Sequence, residues 1–164
     1  MLPENVKNKI ELLPKDKYDK NVIKEINYFK NLYNEDYINS IIWTQEEAKN
    51  ILKEIGVLED TSFYDFYLNV IDEPEAYRAE DFYGLSQILE DYKNPFWSRY
   101  PEIGKRYLQL SSIEGEYSYF YDKETDALYG VDWGEMDDFI AGKLKPLFTS
   151  FYDFLEWYYS EEDE

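Results

Sequence analysis

Carboxylates are the residues best placed to do chemistry in this chain. Asp122, Glu124 and Asp126 alternate along one polar stretch, and Asp132, Glu135, Asp137 and Asp138 follow closely, with Lys123 the only base among them. Such a group suits three kinds of chemistry: pairing with Lys and Arg of a cationic protein, holding a divalent cation, or acid–base catalysis. The Asp122-x-Glu124-x-Asp126 spacing is a poor calcium loop. Ala127 stands where the sharp turn needs Gly, and Trp133 occupies the place of the bidentate Glu. Facing carboxylates would suit glycoside hydrolysis, but with 36 acidic residues in the chain such pairs arise by chance. Cys and His are both absent, which removes thiol and imidazole nucleophiles or bases, disulfides and Cys/His zinc sites. No Gly-rich phosphate loop is present. The expectation is therefore no catalytic residues, no metal and no cofactor, with the carboxylates serving as a binding patch.

Aromatic residues stand among these acids. Tyr117, Tyr119 and Tyr121 alternate with polar or apolar residues and so share one strand face, and Trp133 lies beside four carboxylates. Tyr and Trp supply large rigid contact area, and energetic hot spots are enriched in them. Trp133 is the expected anchor. A second acidic group, Asp72, Glu73, Glu75, Glu80 and Asp81, flanks Tyr77 and Arg78 and would extend the same surface.

The charge behind these groups is lopsided. The 164-residue chain carries 36 acidic and 17 basic residues, a formal net charge of −19. Residues 1–58 hold 9 basic and 10 acidic residues, whereas residues 59–164 hold 8 and 26. An anionic surface of this size repels phosphate backbones and steers cationic proteins towards itself, so the expected partner is a basic protein, with no nucleic acid and no membrane. Aromatics at 20% of residues argue for a folded core. The charged, proline-containing start and the lack of a run of about 18 apolar residues predict a soluble cytoplasmic protein.

The elements that must position these residues can be read from periodicity. Between Tyr18 and Ile42, Val22, Ile26, Phe29, Tyr33 and Tyr37 recur at helical spacing. Thr44-Gln45-Glu46-Glu47 reads as a capping box for a helix with Ala48, Ile51, Leu52 and Ile55 on one side, stopped by Gly56. Asp60-Thr61-Ser62 opens another helix with Phe63, Phe66, Tyr67 and Val70, and Pro74 lies beyond it. Phe82–Leu89 fits a strand or a short helix, and Pro95 and Pro101 enclose an irregular aromatic loop. Segments around 107–110, 117–122 and 127–133 read as an antiparallel meander with a polar turn at Asp122–Asp126. A loop then leads to Thr149 or Ser150, which caps a last helix bearing Phe151, Phe154, Leu155 and Tyr158. Helices, a meander and one closing helix packed on it make an α+β fold in a single domain over residues 1–164.

Three of these features resemble the SUKH superfamily of Smi/Knr-like proteins. The hairpin from Gly115 to Tyr129, with its Asp122-Lys123 turn, is similar to the family's aromatic strand, Asp-Lys turn and returning strand. Ser150-Phe151-Tyr152-Asp153-Phe154-Leu155 resembles the family's Ser-Phe-x-x-Phe-Leu closing helix, and Tyr100-Pro101 resembles a Tyr-Pro before the central strands. The likeness spans about residues 60–160, and the family's Asn-Gly-Gly turn after an early helix has no counterpart. Residues 1–58 thus read as a divergent helical N-terminal region before a family-like core at 59–160. The resemblance implies an α+β domain that is not an enzyme but a bacterial immunity protein, neutralising a cognate toxin of contact-dependent or polymorphic type, often a nuclease. One-to-one occlusion by an acidic, aromatic-studded face of the sheet is the expected mechanism, with a monomer or weak dimer when free. The alternatives are an acidic DNA mimic that occupies a DNA-binding protein and a carboxylate-based hydrolase.

Overall fold

Caps and turn residues set the element boundaries. In the computed structural model, residues 1–9, 28, 45–70, 82–93, 106–111 and 117–160 are described. Helix α1 (Glu4–Lys7) is followed by α2 (Gln45–Glu54), α3 (Ser62–Asn69) and α4 (Leu85–Lys93). Strands β1 (Tyr107–Gln109), β2 (Tyr117–Asp122) and β3 (Leu128–Asp132) come next, then a 3-10 turn (Trp133–Glu135), α5 (Met136–Ile140) and α6 (Phe151–Tyr158). The Thr61 hydroxyl accepts the Tyr64 N–H at 3.1 Å to cap α3, and the Ser150 hydroxyl accepts the Asp153 N–H at 3.1 Å to cap α6. Gly56 ends α2 with φ +78°, while Val57 N–H donates to Leu52 C=O (3.0 Å) and Gly56 N–H to Lys53 C=O (3.1 Å), a left-handed closure that favours glycine.

The sheet is antiparallel in the order β1-β2-β3, with Leu108 opposite Tyr121 and Tyr119 opposite Gly130. The expected α+β layout is what the fold has. Phe82–Leu89 resolves as helix from Leu85 onward. The expected loop after Trp133 is instead the 3-10 turn and α5, because Met136, Phe139 and Ile140 present an apolar side to the sheet. The periodic segment 18–42 (Tyr28 excepted), Thr44, Pro74, the 72–81 acidic group, and the aromatic loop with Tyr100-Pro101 lie outside the described residues.

Both faces of the sheet are covered. On one face Tyr119 and Tyr121 pack into the main core with Phe63, Phe66 and Tyr67 of α3 and Phe151, Phe154 and Tyr158 of α6. Phe63 stacks on Tyr121 with ring centroids 4.2 Å apart and an interplanar angle of 17°. Val6 of α1 and Ala48 and Leu52 of α2 belong to this same core. On the other face Phe120 and Val131 pack with Met136 and Phe139 of α5, flanked by the half-buried Tyr107 and Tyr129. Gly130 gives room to Tyr117: a Cβ there would lie 1.6 Å from the Tyr117 phenol oxygen, so a larger residue must push that ring aside.

Candidate functional site

The turn joining β2 to β3 is held from within. Asp122 has no solvent exposure and accepts from Arg106 Nε at 2.9 Å and Nη2 at 2.8 Å, a two-pronged pair just ahead of β1. It also accepts the Glu124 N–H at 2.9 Å and the Thr125 hydroxyl at 2.8 Å, which folds the turn upon itself. Burial alone would raise the Asp122 carboxyl, but these hydrogen bonds and the Arg106 charge bring it below the ordinary carboxylate range. Arg106 is held more firmly protonated in return, chiefly by the Asp122 bonds.

Lys123 and Asp126 tie the same turn to the helices. Lys123 Nζ donates to the Ile55 C=O at the end of α2 (2.9 Å) and lies 5.1 Å from the Tyr92 ring centroid of α4. Asp126, left-handed at φ 68°, accepts the Tyr121 phenol at 2.7 Å and the N–H of Phe151, the first residue of α6. Its carboxyl is raised, by burial first and then by Asp153 and Asp60, against the two hydrogen bonds. Burial and the Asp126 bond raise the Tyr121 phenol as well.

These placements correct the expected surface. Asp122 is buried within the fold and offers nothing to a partner. Asp126 is half-buried and engaged by two elements. Of the turn acids only Glu124 is exposed, 3.4 Å from Arg106 Nη1. Tyr119 and Tyr121 are buried in the main core, and the half-buried Tyr117 packs against it, so the aromatic face of β2 is covered by helices. Their alternation places the three rings on one face; the helices above make that face interior. Nothing in the sequence singles out Arg106, which adjoins Lys105 in a locally basic stretch; Lys123, alone among Asp122, Glu124 and Asp126, does carry such a signal.

The remaining predicted residues do come together, at the far end of β3. Trp133 is 53% exposed, and Asp132, Asp137 and Asp138 are exposed around it with Glu135 half-buried. Asp132 and Glu135 form a capping box across the 3-10 turn: Asp132 Oδ1 accepts the Gly134 N–H at 2.9 Å, and Glu135 Oε1 accepts the Asp132 N–H at 3.4 Å. Met136 and Phe139 then root α5 in the sheet. Gly142 at φ +74° closes the helix, its N–H donating to Phe139 C=O at 3.1 Å and that of Lys143 to Asp138 C=O at 2.8 Å. The result is a fixed projection carrying one indole and four carboxylates.

The described residues contain no group of three or more Asp or Glu placed to hold a metal ion. Among the described residues two carboxyls have raised proton affinity, and each is engaged within the fold: Asp91, half-buried on α4, accepts from Gln87 at 3.0 Å, and Asp126 is bound as above. No described helix is long and apolar enough to cross a membrane. Comparisons with known proteins find no matching family model, no matching curated protein and no matching solved structure.

Proposed function

We propose that this protein is an immunity protein of SUKH type, which binds one cationic toxin domain inside the producing cell and blocks it without catalysis. The observation that carries the reading is Trp133, more than half exposed on a capped turn whose adjoining residues 132–138 carry four carboxylates. The exposed part of this large ring is rigid apolar area open to a partner. The carboxylates beside it suit Lys and Arg, as does the excess of acids in residues 59–164. The contact is thus moved from the face of the sheet to the projection beyond β3. The hairpin and closing helix that carry the family resemblance fold here as strand–turn–strand and helix.

The test uses the protein encoded directly upstream of this reading frame. One-to-one binding of that protein's C-terminal domain is expected, with loss of its toxicity. Trp133→Ala is expected to weaken binding by about thirtyfold or more, the range of an interface hot spot, with little change in thermal stability. Asp137→Lys with Asp138→Lys is expected to slow association and flatten its salt dependence. Absence of binding, or binding indifferent to Trp133 and to both aspartates, refutes the reading. A DNA mimic would instead compete with DNA on several unrelated basic proteins.

A further inference from the structure

The four carboxylates around Trp133 look alike in sequence but are used differently. Asp132 accepts the backbone N–H groups of Gly134 and Glu135, and Glu135 returns a bond to the Asp132 N–H. The box encloses Trp133 and Gly134, so it sets the backbone from which the indole projects. A 3-10 turn has poor hydrogen-bond geometry of its own and depends on such end contacts. The C-terminal side of the turn is already fixed, since Met136 and Phe139 are buried against β2 and β3. On the N-terminal side, pairing of Asp132 with Tyr117 fixes the end of β3, and the box carries that alignment across Trp133 and Gly134 into the turn. Asp137 and Asp138 stand on the first turn of α5, outside it.

We infer that Asp132 and Glu135 are positioning residues for Trp133, needed for an acceptor oxygen and not for their charge, while attraction of the cationic partner falls to Asp137 and Asp138. The binding half of this assignment rests on the proposed function; the positioning half does not. Asparagine and glutamine keep the acceptor and drop the charge, whereas alanine drops both. The two roles therefore separate by substitution.

Two measurements decide it. The first needs no partner: the protein is labelled with 5-fluorotryptophan, the Trp133 fluorine resonance is assigned by Trp133→Phe, and its line and shift are followed. Asp132→Asn and Glu135→Gln are expected to leave the resonance in place, and Asp132→Ala to shift and broaden it. Circular dichroism and thermal melting confirm that each variant is folded. The second measures binding kinetics with the upstream-encoded domain. Asp132→Asn is expected to stay within about twofold of the parent, while Asp132→Ala dissociates about tenfold faster, as loss of preorganisation acts on dissociation. Asp137→Asn with Asp138→Asn is expected to slow association and leave the fluorine resonance unmoved. A fluorine signal indifferent to Asp132→Ala overturns the assignment. So does Asp132→Asn weakening binding as much as Asp132→Ala, which would make the charge itself the contact. If Trp133→Ala leaves binding unchanged, the functional reading fails, and the fluorine result still judges the positioning role.

Discussion

Replacing Asp122 by alanine tests whether the β2–β3 turn holds the fold or meets a partner. Asp122 has no exposure and accepts four hydrogen bonds, two of them from Arg106. Removing one member of a buried ion pair costs about 3–5 kcal/mol. Arg106 keeps 39% of its side chain exposed, so water takes over part of its solvation, and a loss of about 3 kcal/mol is expected for Asp122→Ala. Arg106→Ala leaves the carboxylate buried with only the Glu124 N–H and Thr125 hydroxyl, at a cost of about 2–3 kcal/mol, limited by uptake of a proton. Both variants remove the same contact, so the double variant should lose little more than Asp122→Ala, a coupling of about 2 kcal/mol. Acid sensitivity supplies an independent readout. The folded carboxyl lies below its unfolded value, so its contribution is present above the ordinary carboxylate pKa and fades as pH falls through the folded value. Asp122→Asn should therefore show a shallower loss of stability on acidification than the parent. The assay is urea unfolding of the single and double variants at neutral pH and along an acid series. A loss under about 1 kcal/mol, or strictly additive single variants, refutes the reasoning.

Two further predictions concern the same sheet. Gly130→Ala drives a methyl into the Tyr117 phenol and must displace that ring, at about 1–3 kcal/mol; urea unfolding gives the loss, and near-ultraviolet circular dichroism should report the moved tyrosine. Asp126 titrates in the opposite sense to Asp122. Its folded carboxyl is raised, so its stabilising contribution is full below the unfolded pKa and is lost as pH rises through the folded one. Asp126→Asn keeps the acceptor for Tyr121 and Phe151 without the charge facing Asp60 and Asp153. It should match or exceed the parent's melting temperature at neutral pH and lose that advantage in acid; a large loss at neutral pH would contradict the assigned cause.

Much of the local structure was legible in the chain. Thr61 and Ser150 are short hydroxyl residues before apolar helical runs, Gly56 follows one, and the tyrosines of β2 alternate, so each signal lies within a few residues of the structure it sets. The capping box at Asp132 and Glu135 is equally local, an Asp followed three residues later by Glu, but among so many acids that spacing does not stand out from a charged loop. Burial was not legible. Period-two spacing put Tyr117, Tyr119 and Tyr121 on one side, and only the packing of α3 and α6 decided that this side faces inward.

The division between structural and available carboxylates was likewise tertiary. Asp122 and Asp138 are the same residue type in equally acidic surroundings, yet one is fully buried against Arg106 and the other is exposed on α5. Lys123 looked like a surface cation until the fold brought it to Ile55, 68 positions away. Helix caps and strand alternation depend on neighbours along the chain, whereas a charge is defined by whichever groups displace its water. Those groups come from distant segments, and only the folded molecule brings them together.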